Sequence, residues 1–378
     1  MIMKNLLLSI LALFLFFASC SDKKNEYTLT GIFENDNLNG QVAYLQKYDF
    51  SSRNWQSFDS VQVENKTFIY KGIASDTPAV YSVFIKEPFA QIPFVAESGK
   101  IQISEDTTSY IYSVTGTPIN DAYNNVQDKF KIAIEKWKTN WKKIKDAREQ
   151  GGITKELYTE YLEKKDTDGD EYQKSAFEFV KANIGNPVGE YYLLDLSYNF
   201  STEQVRELLA SASSQFKELE RVKKLEKRLD AKEAVAEGKS FIDIKGKDLN
   251  GKDVLLSDYV GKGSVVLVDF WASWCGPCIA SLPKIAELQE KLKGKKFQII
   301  GVSLDADKEA WEKASKEYKV TWPQLSNLKV WDDEAAQTYG VNLIPHTVLI
   351  DTNGIIVEND FDPDFLIFKI EELLNGVQ

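Results

Sequence analysis

Thiols and imidazoles are scarce in this chain. Among 378 residues there are three cysteines, Cys20, Cys275 and Cys278, and a single histidine, His346. A structural zinc site usually takes four ligands from Cys and His. With Cys20 set apart at the N-terminus too few remain, and no metal is expected. A disulfide framework fails as well, because Cys275 and Cys278 enclose a loop too short to restrain much unfolded-chain entropy. Positive charge is also in deficit: 57 Asp and Glu stand against 46 Lys and Arg, a formal net charge of -11. That argues against a nucleic-acid partner, whose phosphates call for a clustered basic surface. Neither G-x-G-x-x-G nor G-x-x-x-x-G-K-[ST] occurs, so no nicotinamide, flavin or nucleotide cofactor is expected.

Hydrophobic residues make up 43% of the chain, ample for packed cores, and the length suits two or three domains. One apolar run is long. In "MIMKNLLLSILALFLFFASC" a lone Lys4 precedes Leu6 to Ala18. This is the length of a signal-peptide core and short for a membrane span. "FASC" followed by the polar "SDKKNE" resembles the lipobox of bacterial lipoproteins. The resemblance implies a signal peptide over 1–19, lipid on Cys20 as the first mature residue, and a tether over 20–26. It places the protein in the cell envelope of a Gram-negative bacterium, facing the periplasm, where disulfides persist. The alternative is an uncleaved anchor in which Cys20 is incidental.

Residues 27–117 alternate with period two. "YTLTGIF", "QVAYLQKY", "FIYKGI", "VYSVFIK", "KIQIS" and "YIYSVTG" predict strands of an all-β antiparallel domain. Parts of it, such as "DSVQVENKTFIYKG", resemble a β-rich module of unknown function that precedes thioredoxin-like domains in bacterial lipoproteins. Residues 118–236 change to a helical period, with "GG" at 151–152 as a break, Gly185 as a C-cap, and a capping signature at Ser201 or Thr202. Within it, "DTDGDE" at 166–171 departs from the calcium-loop pattern and is not expected to bind metal. Trp137 and Trp141, in a lysine-rich helix, are expected to turn inward.

Residues 237–378 alternate strand and helix and then form a hairpin, which indicates an α/β domain with a mixed sheet flanked by helices. Asn250-Gly251 marks a hairpin turn, and "SVVLVDFWA" a buried central strand. "CGPCIASLPKIAELQEKLKG" follows as an amphipathic helix. A C-x-x-C where a strand passes into a helix is a redox signal. The strand delivers Cys275 to the helix N-terminus, where free N–H groups and the helix dipole stabilise a thiolate. Cys278 lies one turn on, close enough to form a disulfide with it. Cys275 is therefore the expected exposed nucleophile and Cys278 the shielded thiol that resolves a mixed disulfide. Gly276 permits the tight turn, and Pro277 has no N–H to leave unpaired in the first helical turn.

"VLVDFWASWCGPC" resembles the active-site segment of thioredoxin. The longer frame "GKDVLLSDYVGKGSVVLVDFWASWCGPC" resembles the membrane-tethered thioredoxin-like proteins of the TlpA and ResA type. The resemblance covers about 140 residues. It implies a thioredoxin fold with "DADKEAWEKASKEYKVTWPQL" as the family's insertion. It puts Asp269 at the position of a buried acid that relays a proton to Cys278. It makes Pro345 the cis-proline beside the disulfide, with the Ile344 backbone open to an extended substrate. Pro283 takes the place of the helix kink. Trp274 completes the active-site segment. His346 stands where thioredoxin has threonine, and within reach of Cys275 it would tune the thiolate. Ser281 replaces a glutamate common in members devoted to cytochrome maturation.

The resulting expectation is a membrane-anchored thiol–disulfide oxidoreductase that reduces disulfide-bearing extracytoplasmic proteins, with a membrane electron donor to re-reduce it. The alternatives are a disulfide oxidase or isomerase, a peroxidase on the same fold, or an anchored binding protein with a vestigial redox domain.

Overall fold

The computed structural model describes residues 25–376 apart from 107–110, 151, 165, 166 and 168. The signal segment, Cys20 and most of the tether lie outside the described residues, as do Asp166 and Asp168 of the acidic loop. The chain divides into two compact units. One runs to Lys47 and resumes over Trp55–Asp121; the other holds Tyr48–Asn54 and everything from Ala122 onward.

The first unit is built from β1 (Glu26–Ile32), β2 (Val42–Asp49), β3 (Asn54–Gln62), β4 (Thr67–Ile73), β5 (Val80–Ile85), β6 (Ala90–Val95), β7 (Gly99–Asp106) and β8 (Ile111–Thr115). They make two four-stranded sheets, β4-β1-β7-β8 and β3-β2-β5-β6. Leu29, Ile101 and Ile103 of one sheet and Leu45, Val83 and Phe94 of the other share one core. β1–β4, β7–β8, β2–β5 and β5–β6 pair antiparallel, as expected, whereas β1 and β7 run parallel, Leu29 beside Ile101. Two strands escaped the sequence reading. β3 is exposed at most positions, so its inward face leaves almost no alternation. β6 contains Pro93 but lies at a sheet edge, where a missing N–H is tolerated.

Helices follow: α1 (Pro118–Glu149), α2 (Lys155–Lys164), α3 (Asp170–Asn183), α4 (Pro187–Leu196), α5 (Thr202–Ser211), α6 (Ser214–Lys217) and α7 (Glu220–Ala234). Ser201 is the N-cap of α5, in a reciprocal capping box with Gln204. Gly185 does not cap α3. The cap is Ile184, and the chain turns at once into α4, whose N-cap Asn186 accepts from the Val188 N–H at 2.9 Å. α4 was not foreseen because "PVGEYYLLDL" has hardly a polar face to give it a period. Trp141 is a second correction: it is 56% exposed, whereas Trp137 is partly buried, so the two do not both turn inward.

The C-terminal part opens with a hairpin of β9 (Lys245–Lys247) and β10 (Asp253–Leu255), turned at Gly251 with φ +83°. Then come β11 (Val265–Trp271), α8 (Gly276–Lys291), β12 (Phe297–Ser303), α9 (Lys308–Glu317), β13 (Gln324–Leu325), α10 (Glu334–Thr338), β14 (His346–Ile350), β15 (Ile356–Asn359) and α11 (Leu366–Asn375). The five-stranded sheet has the order β13-β12-β11-β14-β15. β12 runs parallel to β11 and β14 antiparallel to it. Every residue of β11 is buried, as a continuous apolar run in a central strand requires. The architecture is thioredoxin-like.

The helices of the second unit pack onto this domain. Tyr158 of α2 stacks on Phe368 at 5.0 Å, and Tyr161 stacks on Phe365 at 4.2 Å. The buried carboxylate of Asp364 receives both Arg148 of α1 and Lys284 of α8, the latter at 2.9 Å. The helix that begins at the cysteines is thereby tied to the helical region.

Candidate active site

β11 ends at Trp271, and Ala272 to Trp274 carry the chain to the mouth of α8. Sequence reasoning missed what fixes this turn. Asp305, buried beyond the end of β12, accepts the Ser273 N–H at 3.1 Å and the Ser273 hydroxyl at 2.5 Å, and is itself held by the Ser303 hydroxyl at 2.8 Å. The available signal was an acid in "VSLDAD" directly after an apolar strand.

Cys275 is the N-cap of α8, with Gly276 and Pro277 in its first turn. Cys275 and Cys278 form a disulfide, and the Cys278 N–H donates to the Cys275 Sγ at 3.1 Å. That donor and the helix dipole would hold a thiolate at Cys275 once the bond is reduced. Cys275 is not the exposed group the sequence suggested. It is 6% exposed and Cys278 1%, so Cys275 is the less shielded of two buried cysteines. Its cover includes the cis-proline loop: the Ile344–Pro345 peptide is cis, and the Ile344 carbonyl oxygen lies 3.6 Å from Sγ. Ser281 donates to the Cys278 carbonyl at 2.8 Å. Trp274, 53% exposed, meets Trp331 edge-on at 6.0 Å, and Leu343 is also exposed.

Asp269 lies in mid-strand, paired with Thr347 on one side and Gly301 on the other. Burial pushes its carboxyl up to about 7, and Oδ2 has no hydrogen-bond partner among the described residues. The buried indole N–H groups of Trp271 and Trp322 are likewise unpaired there. Both point at Gly301, 3.3 and 3.2 Å from where a Cβ would stand. A carboxyl in this state can hold or release a proton near neutrality.

His346 lies on the opposite face of the sheet from Asp269. Residues directly opposite on paired strands share a face, and its partner is Phe270, whereas Asp269 faces the other side. The His346 ring packs against Phe270 at 6.0 Å, and Nδ1 is 3.4 Å from Asp360. The sulfur of Cys275 meets the Ile344 backbone. One residue of register decides this.

Comparison with known proteins agrees with the geometry. Residues 238–359 match the AhpC/TSA family, and residues 27–123 match a domain of unknown function (DUF4369). The thiol-disulfide oxidoreductase ResA of Geobacillus thermodenitrificans is 35% identical over 123 residues, 32% of this chain and 68% of that protein. The ResA of Bacillus subtilis is 32% identical over 127 residues, 34% of this chain and 68% of that protein. Among solved structures, the thioredoxin domain of a thiol-disulfide oxidoreductase from Bacteroides vulgatus is 36% identical and covers 37% of this chain and 99% of its own, with a TM-score of 0.35.

Proposed function

Because the chain belongs to the TlpA/ResA-like, thioredoxin-fold thiol–disulfide oxidoreductases, we propose that it is the membrane-anchored, periplasm-facing member that reduces disulfides of extracytoplasmic proteins. The observation that carries the reading is the Cys275–Cys278 disulfide at the N-terminus of α8, one cysteine less shielded than the other. In the reduced enzyme, the Cys275 thiolate attacks one sulfur of a substrate disulfide. A mixed disulfide forms and one substrate thiolate leaves. Cys278, giving its proton towards Asp269, then attacks the Cys275 sulfur. The second substrate thiolate leaves, and the enzyme is oxidised by the two electrons the substrate gained. A dithiol donor at the membrane would restore the reduced pair, since no flavin or nicotinamide site is legible. The Ile344 backbone would receive the extended substrate chain, and lipid on Cys20 would hold the protein to its membrane. Gly276-Pro277 between the cysteines, as in thioredoxin, supports the reducing direction.

Two measurements test this. The reduction potential of the pair, titrated against dithiothreitol, is expected near that of thioredoxin, about -270 mV; a value near -120 mV, that of a strong oxidant, would point to disulfide formation instead. A Cys278→Ser variant should trap substrates on Cys275, whereas Cys275→Ser should trap none.

A further inference from the structure

A cleft of about 390 Å³ lies between α7 and the segment from Trp331 to Asn342. Three cations of α7, Lys224, Lys227 and Arg228, line it, against one carboxylate, Asp332. Lys224 and Arg228 are four residues apart and share one helix face. Among the described residues none of the three has a carboxylate within ion-pair distance. For Arg228 this is costly: burial holds its guanidinium below the ordinary value, with nothing to offset it. Gly340, at φ +64°, lets the segment come close. A Cβ there would meet the Lys232 side chain at 2.8 Å and the Arg228 carbonyl at 3.1 Å.

The cleft reaches the redox centre by two routes. Trp331, in its wall, meets Trp274, the residue before Cys275, at 6.0 Å. Val341 and Asn342, also in its wall, lead through exposed Leu343 to Ile344, whose carbonyl is 3.6 Å from the Cys275 sulfur. Trp274 and Leu343 thus lie between Cys275 and the positively charged cleft.

We infer that this cleft selects the substrate: it takes an acidic stretch flanking the reacting cysteine of a disulfide-bearing polypeptide. The inference rests on the reductase reading above. Charge complementarity carries it. In a chain of net charge -11, a concave site with three cations that have no carboxylate partner among the described residues attracts anions that the rest of the surface repels. Such focusing acts on encounter rates by tenfold or more.

The test compares mixed-disulfide peptides of equal length whose cysteine is flanked by glutamates or by glutamines, reduced by the pre-reduced full chain in detergent, with uncharged 2-hydroxyethyl disulfide alongside. The wild type should prefer the acidic peptide in the second-order rate constant of this single exchange by about tenfold at low salt, with the ratio collapsing as screening grows. In Lys224→Gln/Lys227→Gln the ratio should fall towards one, and in Lys224→Glu/Lys227→Glu it should invert. The ratio, not the absolute rate, is the readout, so a partly unfolded variant does not mimic the result. Equal rates on both peptides, with 2-hydroxyethyl disulfide still turned over, would overturn the role of the cleft alone. No turnover of 2-hydroxyethyl disulfide by the wild type would overturn the reductase reading beneath it. If the cleft receives a second copy of this acidic chain, the wild type will sediment as a dimer, the charge-reversed variant as a monomer, and the peptide ratio will be flat; that too overturns the inference.

Discussion

Asp269 makes the stability of the molecule depend on pH. Its folded-state pKa of about 7 stands above the ordinary 3.8. Between those values the folded protein holds a proton that the unfolded chain has released, so stability falls as pH rises through that window. An asparagine in place of the acid would carry no such penalty. Denaturant unfolding of oxidised Asp269→Asn against wild type should show a relative gain of roughly 4 kcal/mol between pH 4 and pH 8. A pH-independent difference would mean that the carboxylate is solvated. The same variant should slow release of substrate from the mixed disulfide, on the order of 100-fold, if Asp269 accepts the Cys278 proton. A stopped-flow measurement of the second exchange step separates this from any effect on the first attack by Cys275.

Among the elements, α8 is the one on which the rest converge. Its N-terminus carries the cysteines, and Lys284, two turns on, meets Asp364 at 2.9 Å together with Arg148. Burial and the neighbouring Arg148 charge already hold the Lys284 ammonium below its ordinary value. Asp364→Ala leaves these two cations facing each other without their carboxylate. The expected loss is about 1 to 2 kcal/mol, since the buried carboxylate's bonds are lost while the two cations stay partly solvated; the denaturant midpoint reads it directly. Gly340→Ala tests the approach of α10 to α7. Its left-handed backbone disfavours a Cβ by roughly 1 kcal/mol, and contact with Lys232 adds to that. A stability loss accompanied by a lower preference for acidic peptides would tie that approach to the cleft.

For the second unit taken whole, the redox domain does not close its own core. Phe361, Phe365 and Phe368 are covered by Tyr158 and Tyr161 of α2. A fragment of residues 237–378 should therefore be less stable than one of 118–378. Three uncovered aromatic faces are worth roughly 3 kcal/mol. Thermal melts of the two oxidised fragments check this, and equal midpoints would show that the helices contribute nothing to the domain they cover.

The sequence by itself determined the thioredoxin-like domain and its reagent. "VVLVDFWASWCGPC" joins a continuous apolar strand, a helix N-terminus and two thiols three positions apart, and these are local properties that no packing needs to supply. It also exposed Asp269, because a carboxylate in an apolar run is visible without coordinates. What it left open depends on partners distant in the chain. The face on which His346 lies followed from strand register, which put it opposite Phe270 and away from Asp269. The burial of Cys275 followed from a loop some 69 residues later. β3 and α4 have no alternation or amphipathic period of their own. The cationic cleft exists only because Gly340 brings α10 against α7. Local pattern fixed what each segment could be, and tertiary contact decided which surfaces those segments would present to a substrate.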